Sequence, residues 1–367
     1  AGLLTWANIN ILGANENELA EIEKFQKCVY DAVDKEITNL GIEHNEKGDR
    51  AVSYIYCVEA DCPECGIKVP LAPSWIIGKG TNTVAILNRN GNGYDINVKM
   101  GVSVNDLKTA TEGTVTSKGL LCPNCGKTTP IPILRGDRVD SNGTLVSGLR
   151  QWGKSDFDFR ENDIYSERLY AIKYETNTGQ RYYRAPNERD LSNESKVRQI
   201  VSDNIVTWQD QGLVPSLAIE SGMETERLFK ERGWTHWNHL FNARQLFLLN
   251  KIYQYIIESS NHLNLVAGLL GLNKCIDWNS RLCRWNGGVG NEKAEQTFYN
   301  QAFNTMMNWG TRSLLGASTS WFYDINTSHV NLDSKFDISD ARDVDHVCDY
   351  WITDPPYADA VNYHELS

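Results

Sequence analysis

The chain has 367 residues, a formal net charge of −11, 41% hydrophobic residues and 23% charged residues. That length allows two or three domains with at least one sizeable core, and the composition excludes an intrinsically disordered chain. The acidic balance excludes a surface that is basic all over, so any nucleic-acid contact needs a local basic face.

The nine cysteines are an odd number in a long chain, which does not read as a secreted disulfide framework. No charged segment followed by an apolar one opens the sequence. The longest clearly apolar run, 265–272, is eight residues with two glycines, far short of a membrane span. The expected compartment is the cytoplasm, with no membrane partner.

Residues 1–50 form an N-terminal helical segment. Leu19, Ile22, Val29, Val33, Ile37 and Leu40 recur at helical spacing over 17–40, and Gly41 follows as a C-cap. Residues 51–135 read as a β region. The alternating run 51–58 predicts a strand, with shorter strands over 69–71, 75–77, 83–87 and 96–99, and another of the same style over 131–134. The run 88–93, rich in Asn and Gly, is a hairpin tip.

Residues 136–235 are a mixed α/β region with a possible role in target recognition. It holds a strand over 168–175, a turn at 176–179, a second strand to Tyr183 and a helix over 191–208. Residues 127–198 carry 13 Lys and Arg against 11 Asp and Glu, a near balance that permits a DNA-facing surface. An irregular connector, 212–233, follows. Residues 236–320 are a helical block. Its best-defined helix runs over 242–259 behind the N-cap Asn242, with further helices over 263–272 and 293–309. Residues 321–345 read as loop, and Val347 to Thr353 as a buried strand.

Two patterns carry chemistry. Cys62-Pro63-Glu64-Cys65-Gly66 and Cys122-Pro123-Asn124-Cys125-Gly126 are near-identical knuckles, with a gap of 56 residues from Cys65 to Cys122. Paired Cys-x-x-Cys turns offer four thiolates for a tetrahedral, structural Zn²⁺ at Cys62, Cys65, Cys122 and Cys125. A redox dithiol, or two unrelated pairs, is the other reading. A zinc ribbon tolerates the long gap, because its knuckles sit at the tips of separate hairpins. The second pattern is Asp354-Pro355-Pro356-Tyr357 at the end of the 347–353 strand. An acidic residue, two prolines and an aromatic there suit gripping an exocyclic amine beside a stacked ring.

The second pattern resembles the catalytic signature of amino-directed DNA methyltransferases. With the knuckles, the run 237–246 and the run 358–365, the chain resembles the zinc-ribbon-containing adenine-specific DNA methylases. The resemblance implies an α+β chain: a zinc-ribbon β region, a helical block and, over 321–367, the beginning of a Rossmann-like methyltransferase α/β domain. It implies methyl transfer from S-adenosylmethionine to a flipped base, adenine N6 preferred. Asp354 and the Pro355 carbonyl would accept the amine hydrogens, and Tyr357 would stack on the ring. Asp340 and Asp343 resemble a loop near the cofactor's adenosine, or else form a solvated acidic turn. DNA is the implied partner, with other subunits of a modification or defence system as further partners.

The chain departs from that pattern in lacking a glycine-rich cofactor loop after a first strand. Gly287-Gly288-Val289-Gly290 follows Trp285-Asn286 and reads as a flexible loop. The chain is therefore expected to be the middle of a larger enzyme, inactive alone. A zinc-ribbon nucleic-acid-binding module without catalysis is the alternative. Among smaller candidates, Arg244 and Gln245 open a helix and suit phosphate or backbone contact, or simply its surface. His236, His239 and His364 are scattered. Trp208, Trp234, Trp237 and Trp278 suit core packing or base stacking.

Overall fold

The computed structural model describes residues 2–353 apart from His329, Asn331 and Lys335, together with Glu365. A short helix α1 (Gly2–Asn10) leads into α2 (Glu16–Leu40). Helix α2 buries Ile22, Val29, Val33 and Ile37 as one stripe. Asn15 caps it by accepting from the Asn17 and Glu18 N–H groups, while the Glu18 carboxylate accepts from the Asn15 N–H at 2.8 Å. Gly41, at φ 67°, ends the helix by returning its N–H to the Ile37 and Thr38 carbonyls.

Strand β1 (Arg50–Asp61) is the axis of the fold. It turns back through the first knuckle into β2 (Lys68–Leu71). Strands β3 (Ile76–Gly78), β4 (Thr83–Asn90) and β5 (Gly93–Lys99) form a separate antiparallel sheet. Helix α3 (Val104–Thr109) leads to a third small sheet: β6 (Val115–Thr116), β7 (Gly119–Leu121) and β8 (Thr128–Thr129). The helical turn α4 (Ile131–Leu134) and the ribbon β9 (Arg138–Val139) and β10 (Leu145–Val146) follow.

Strands β11 (Tyr165–Glu175) and β12 (Arg181–Arg184) extend the central sheet. Helices α5 (Glu188–Asp210), α6 (Glu226–Arg232), α7 (Ala243–Ile257) and α8 (His262–Asp277) come next. The short pair β13 (Trp285–Asn286) and β14 (Lys293–Ala294) precedes β15 (Asn308–Arg312) and α9 (Leu314–Trp321).

The central sheet runs β12-β11-β1-β15, with β2 also paired to β1, and every pairing is antiparallel. Side chains alternate along β1. Tyr54, Tyr56 and Val58 face one way, while Ile55 and Cys57 pack with Trp75, Ile77 and Trp285 on the β3–β5 side. Tyr54 and Tyr56 meet polar side chains from α5 and α7, so helices cover that face. A larger apolar core lies among α2, α5, α7, α8 and α9, with Val33, Val201, Leu246, Ile256 and Trp321 at its centre. The sheet takes strands from residues 51–135, 136–235 and 236–320 alike.

Several expectations change. The 293–309 segment is not a helix. Its end becomes β15, because β1 offers an edge on which Trp309 stacks against Tyr56 at 5.9 Å. Gly310 fits there because a Cβ would come within 2.8 Å of the Trp285 ring. Residues 131–134 form a helical turn instead of a strand, since Pro132 has no N–H for a ladder. The connector 212–233 contains α6.

Residues 347–353 are not a buried strand. Val347, Tyr350, Trp351 and Ile352 are exposed, and among the described residues no strand lies beside them to pair their backbone. A Rossmann-like sheet is accordingly not formed among the described residues. None of the described helices is long and apolar enough to cross a membrane.

Candidate metal centre

Two hairpins build the centre. The first knuckle is the loop between β1 and β2. There the Cys62 N–H donates to the Ile67 carbonyl at 2.8 Å and the Gly66 N–H to the Cys62 carbonyl at 2.7 Å. The second, between β7 and β8, repeats it: Cys122 N–H to Lys127 carbonyl at 3.0 Å, Gly126 N–H to Cys122 carbonyl at 2.9 Å. Gly66 and Gly126 have φ of 72° and 70°, the left-handed turn that lets the chain wrap round its first cysteine.

The four sulfurs converge. Cys62 Sγ lies 3.9 Å from Cys125 Sγ and Cys65 Sγ lies 3.7 Å from Cys122 Sγ, and all four are within 4.8 Å of one another. Four thiolates about 2.3 Å from one tetrahedral ion would stand about 3.8 Å apart, so the cluster has the size of a metal cage. At these separations no disulfide joins the two knuckles, and all four cysteines are free thiols. The cysteines can therefore hold a metal ion, which chemically is a closed, thiolate-rich site.

The surroundings favour thiolate at one position and oppose it at others. The Asn124 amide donates to Cys65 Sγ at 3.4 Å, and Arg89 in turn bonds the Asn124 carbonyl. That donor is the main reason the Cys65 thiol is lowered to about 6. Burial pushes Cys122 up to about 12 and raises Cys62 as well. A bound cation removes this mismatch, because its charge stabilises thiolate at every position.

The other expected site residues stand apart from this cluster. Asp354, Pro355, Pro356 and Tyr357 lie outside the described residues, as does His364. Glu365 is described: its carboxylate accepts from the backbone N–H groups of Met223, Glu224 and Thr225 at 2.8–3.0 Å, just before α6. Asp340 and Asp343 are exposed on a short turn, with Asp340 paired to Arg342 at 2.5 Å.

Arg244 and Gln245 belong to the interior. Arg244 Nε meets Glu194 at 2.5 Å with both side chains under a tenth exposed, and its guanidinium lies 4.1 Å from the Tyr54 ring centre. Gln245 donates to Asn279 and Thr311. His239 is also structural: its Nδ1 accepts from the Thr235 and His236 N–H groups, and its Nε2 faces the Gly153 carbonyl at 2.9 Å. Trp208 and Trp234 are core residues, and Trp278 is half-buried.

The basic stretch 127–198 spends much of its charge internally. Arg135, Arg150, Arg168, Arg181, Arg184 and Arg198 each pair with a carboxylate. Sequence reasoning missed a different cationic group, formed by Lys173, Lys274, Lys293 and Arg312 around one cavity. No motif links these residues; only the folding of β11, α8, β14 and β15 brings them together. No family model, curated protein or solved structure matches this chain.

Proposed function

We propose that the chain is part of a DNA amino-methyltransferase, in which a structural Zn²⁺ at Cys62, Cys65, Cys122 and Cys125 clamps the β region. The observation that carries this reading is the convergence of the two knuckles on one cage-sized cluster. The resemblance had rested on knuckles far apart in sequence, and they are one physical unit. Zinc here supplies cross-linking and no chemistry, because four thiolates leave no open position for substrate.

The chemistry belongs to Asp354-Pro355-Pro356-Tyr357. A target base must leave the helix stack before its amine can be reached. The Asp354 carboxylate accepts one amine hydrogen and the Pro355 carbonyl the other, which aims the nitrogen lone pair outward. Tyr357 stacks on the ring, worth about 1–3 kcal/mol. S-adenosylmethionine, when bound, would supply the methyl group. Positioning and polarisation of the amine do the catalytic work, and no strong base is required.

In the intact protein, Asp354→Ala should abolish incorporation of labelled methyl groups into DNA while metal content and thermal unfolding stay unchanged. Retained incorporation would remove Asp354 from the mechanism. A metal-clamped nucleic-acid-binding module without catalysis is the second reading, favoured by the cationic group around the cavity noted above. It predicts DNA binding with no methyl transfer by the unmutated protein.

A further inference from the structure

A cavity of about 460 Å³ opens between β1, β11, α8, β14 and α9. Five cations line it: Lys173, Arg181, Lys274, Lys293 and Arg312. Glu292 is the single carboxylate among its lining residues, and that group is already engaged. Its Oε1 accepts from the Thr81 N–H at 2.9 Å and hydroxyl at 3.1 Å, and its Oε2 from the Tyr183 hydroxyl at 3.0 Å. Arg181 pairs with Glu175 at 2.7 Å. Among the described residues no carboxylate pairs with Lys173, Lys274, Lys293 or Arg312.

Two of these cations are buried. Lys173 is 8% exposed and donates to the Glu292 backbone carbonyl at 2.9 Å. Arg312 is 7% exposed; it donates to the Ala294 carbonyl at 2.9 Å and weakly to the Gly316 carbonyl and Thr319 hydroxyl at 3.3 Å, while its Nε has no partner. Burying charge without a directly paired carboxylate is costly: burial lowers the proton affinity of both groups, outweighing the attraction of Glu292 and Glu175 for Lys173 and of Glu295 for Arg312. Trp278 adds a flat wall, with Arg312 at 4.8 Å and Lys293 at 5.2 Å from its ring centre. Lys274 and Lys293 stand exposed at the rim.

We propose that this cavity binds a phosphate-bearing anion. Carboxylates dominate the chain as a whole, so a pocket this cationic in an acidic protein concentrates phosphate where the rest of the surface repels it. Arginine offers a planar fork to phosphate oxygens and the lysines act as point charges. The Ser53 hydroxyl lies on the same lining, while those of Ser318 and Thr319 are turned to the Leu315 and Gly316 carbonyls. The site is independent of the metal cluster and of the methyl-transfer reading.

The test is calorimetric titration of the chain with inorganic pyrophosphate, and separately with a short single-stranded DNA, at low salt. Saturable binding of pyrophosphate is expected. Lys274→Glu with Lys293→Glu should weaken it at least tenfold. Lys24→Glu with Lys35→Glu, on the exposed side of α2, changes net charge equally and should leave it within twofold. Arg312→Gln should weaken binding further if it folds; the rim pair keeps the test decisive if it does not. Displacement of pyrophosphate by the DNA assigns the site to backbone phosphates, and absence of competition assigns it to a free phosphoanion. No saturable heat from either probe, or equal weakening by both pairs of reversals, would overturn the proposal.

Discussion

Gly119→Ala should damage the metal centre without touching a cysteine. Gly119 opens β7 at φ 126°, a region in which side chains are strained. A Cβ there would stand 2.1 Å from the Thr129 carbonyl oxygen and 2.7 Å from Pro130 Cα. Both contacts are backbone, one at the end of the paired strand β8 and one at the residue after it, so relief requires the hairpin to open. Backbone strain of this kind costs about 1–3 kcal/mol, and the steric contact adds to it. A total near 3 kcal/mol corresponds to about a 100-fold loss in metal affinity if assembling the hairpin and binding the ion are one process.

Gly126→Ala is the calibrating variant. Its φ of 70° is also left-handed, but nothing lies within 4 Å of an added Cβ. Conformational strain alone, about 1–2 kcal/mol, should weaken binding about tenfold. The assay is competition for zinc against a chromophoric chelator, with thermal unfolding as the control on fold. A Gly119→Ala protein that binds zinc within threefold of the unmutated chain would refute the coupling. So would a larger loss at Gly126 than at Gly119.

Further outcomes follow from the interior. Arg244→Met strands the Glu194 carboxylate with only the Tyr56 hydroxyl at 3.0 Å and Arg198 at 3.8 Å. Urea unfolding should show a loss of about 3–5 kcal/mol, with at least half regained on adding Glu194→Gln. A single-variant loss below about 1 kcal/mol would contradict a buried pair. Burial holds His239 down at about 4, so the folded protein keeps it neutral where the unfolded chain protonates it. Between the unfolded value near 6.5 and that lowered value, stability should fall as pH falls, by up to about 3 kcal/mol from this residue. Comparing urea midpoints of the unmutated chain and His239→Gln at pH 7 and 4.5 checks it, since the variant should lose less on acidification.

The legible parts of the fold were those signalled locally. Asn242 announces a helix start because a short polar side chain can accept the free N–H groups, and the apolar stripes of α2 and α7 set their buried faces. The knuckles were legible because cysteine pairs with glycine behind them have few other uses. The end of the 293–309 segment was misread because the strand that it opens depends on the edge of β1, far away in sequence. Arg244 and Gln245 were misread because a polar pair at a helix start usually faces water, and nothing local marks Glu194 or Asn279 as its partner. The cation cavity was invisible for the same reason, being assembled from positions 173 to 312 by topology alone.

The measurement that bears most directly on the account is metal analysis of the purified chain combined with X-ray absorption at the zinc edge. About one zinc per chain, ligated by four sulfurs at about 2.3 Å, is the predicted result. A folded protein free of metal, or an ion with fewer than four sulfur neighbours, would contradict the clamp formed by Cys62, Cys65, Cys122 and Cys125.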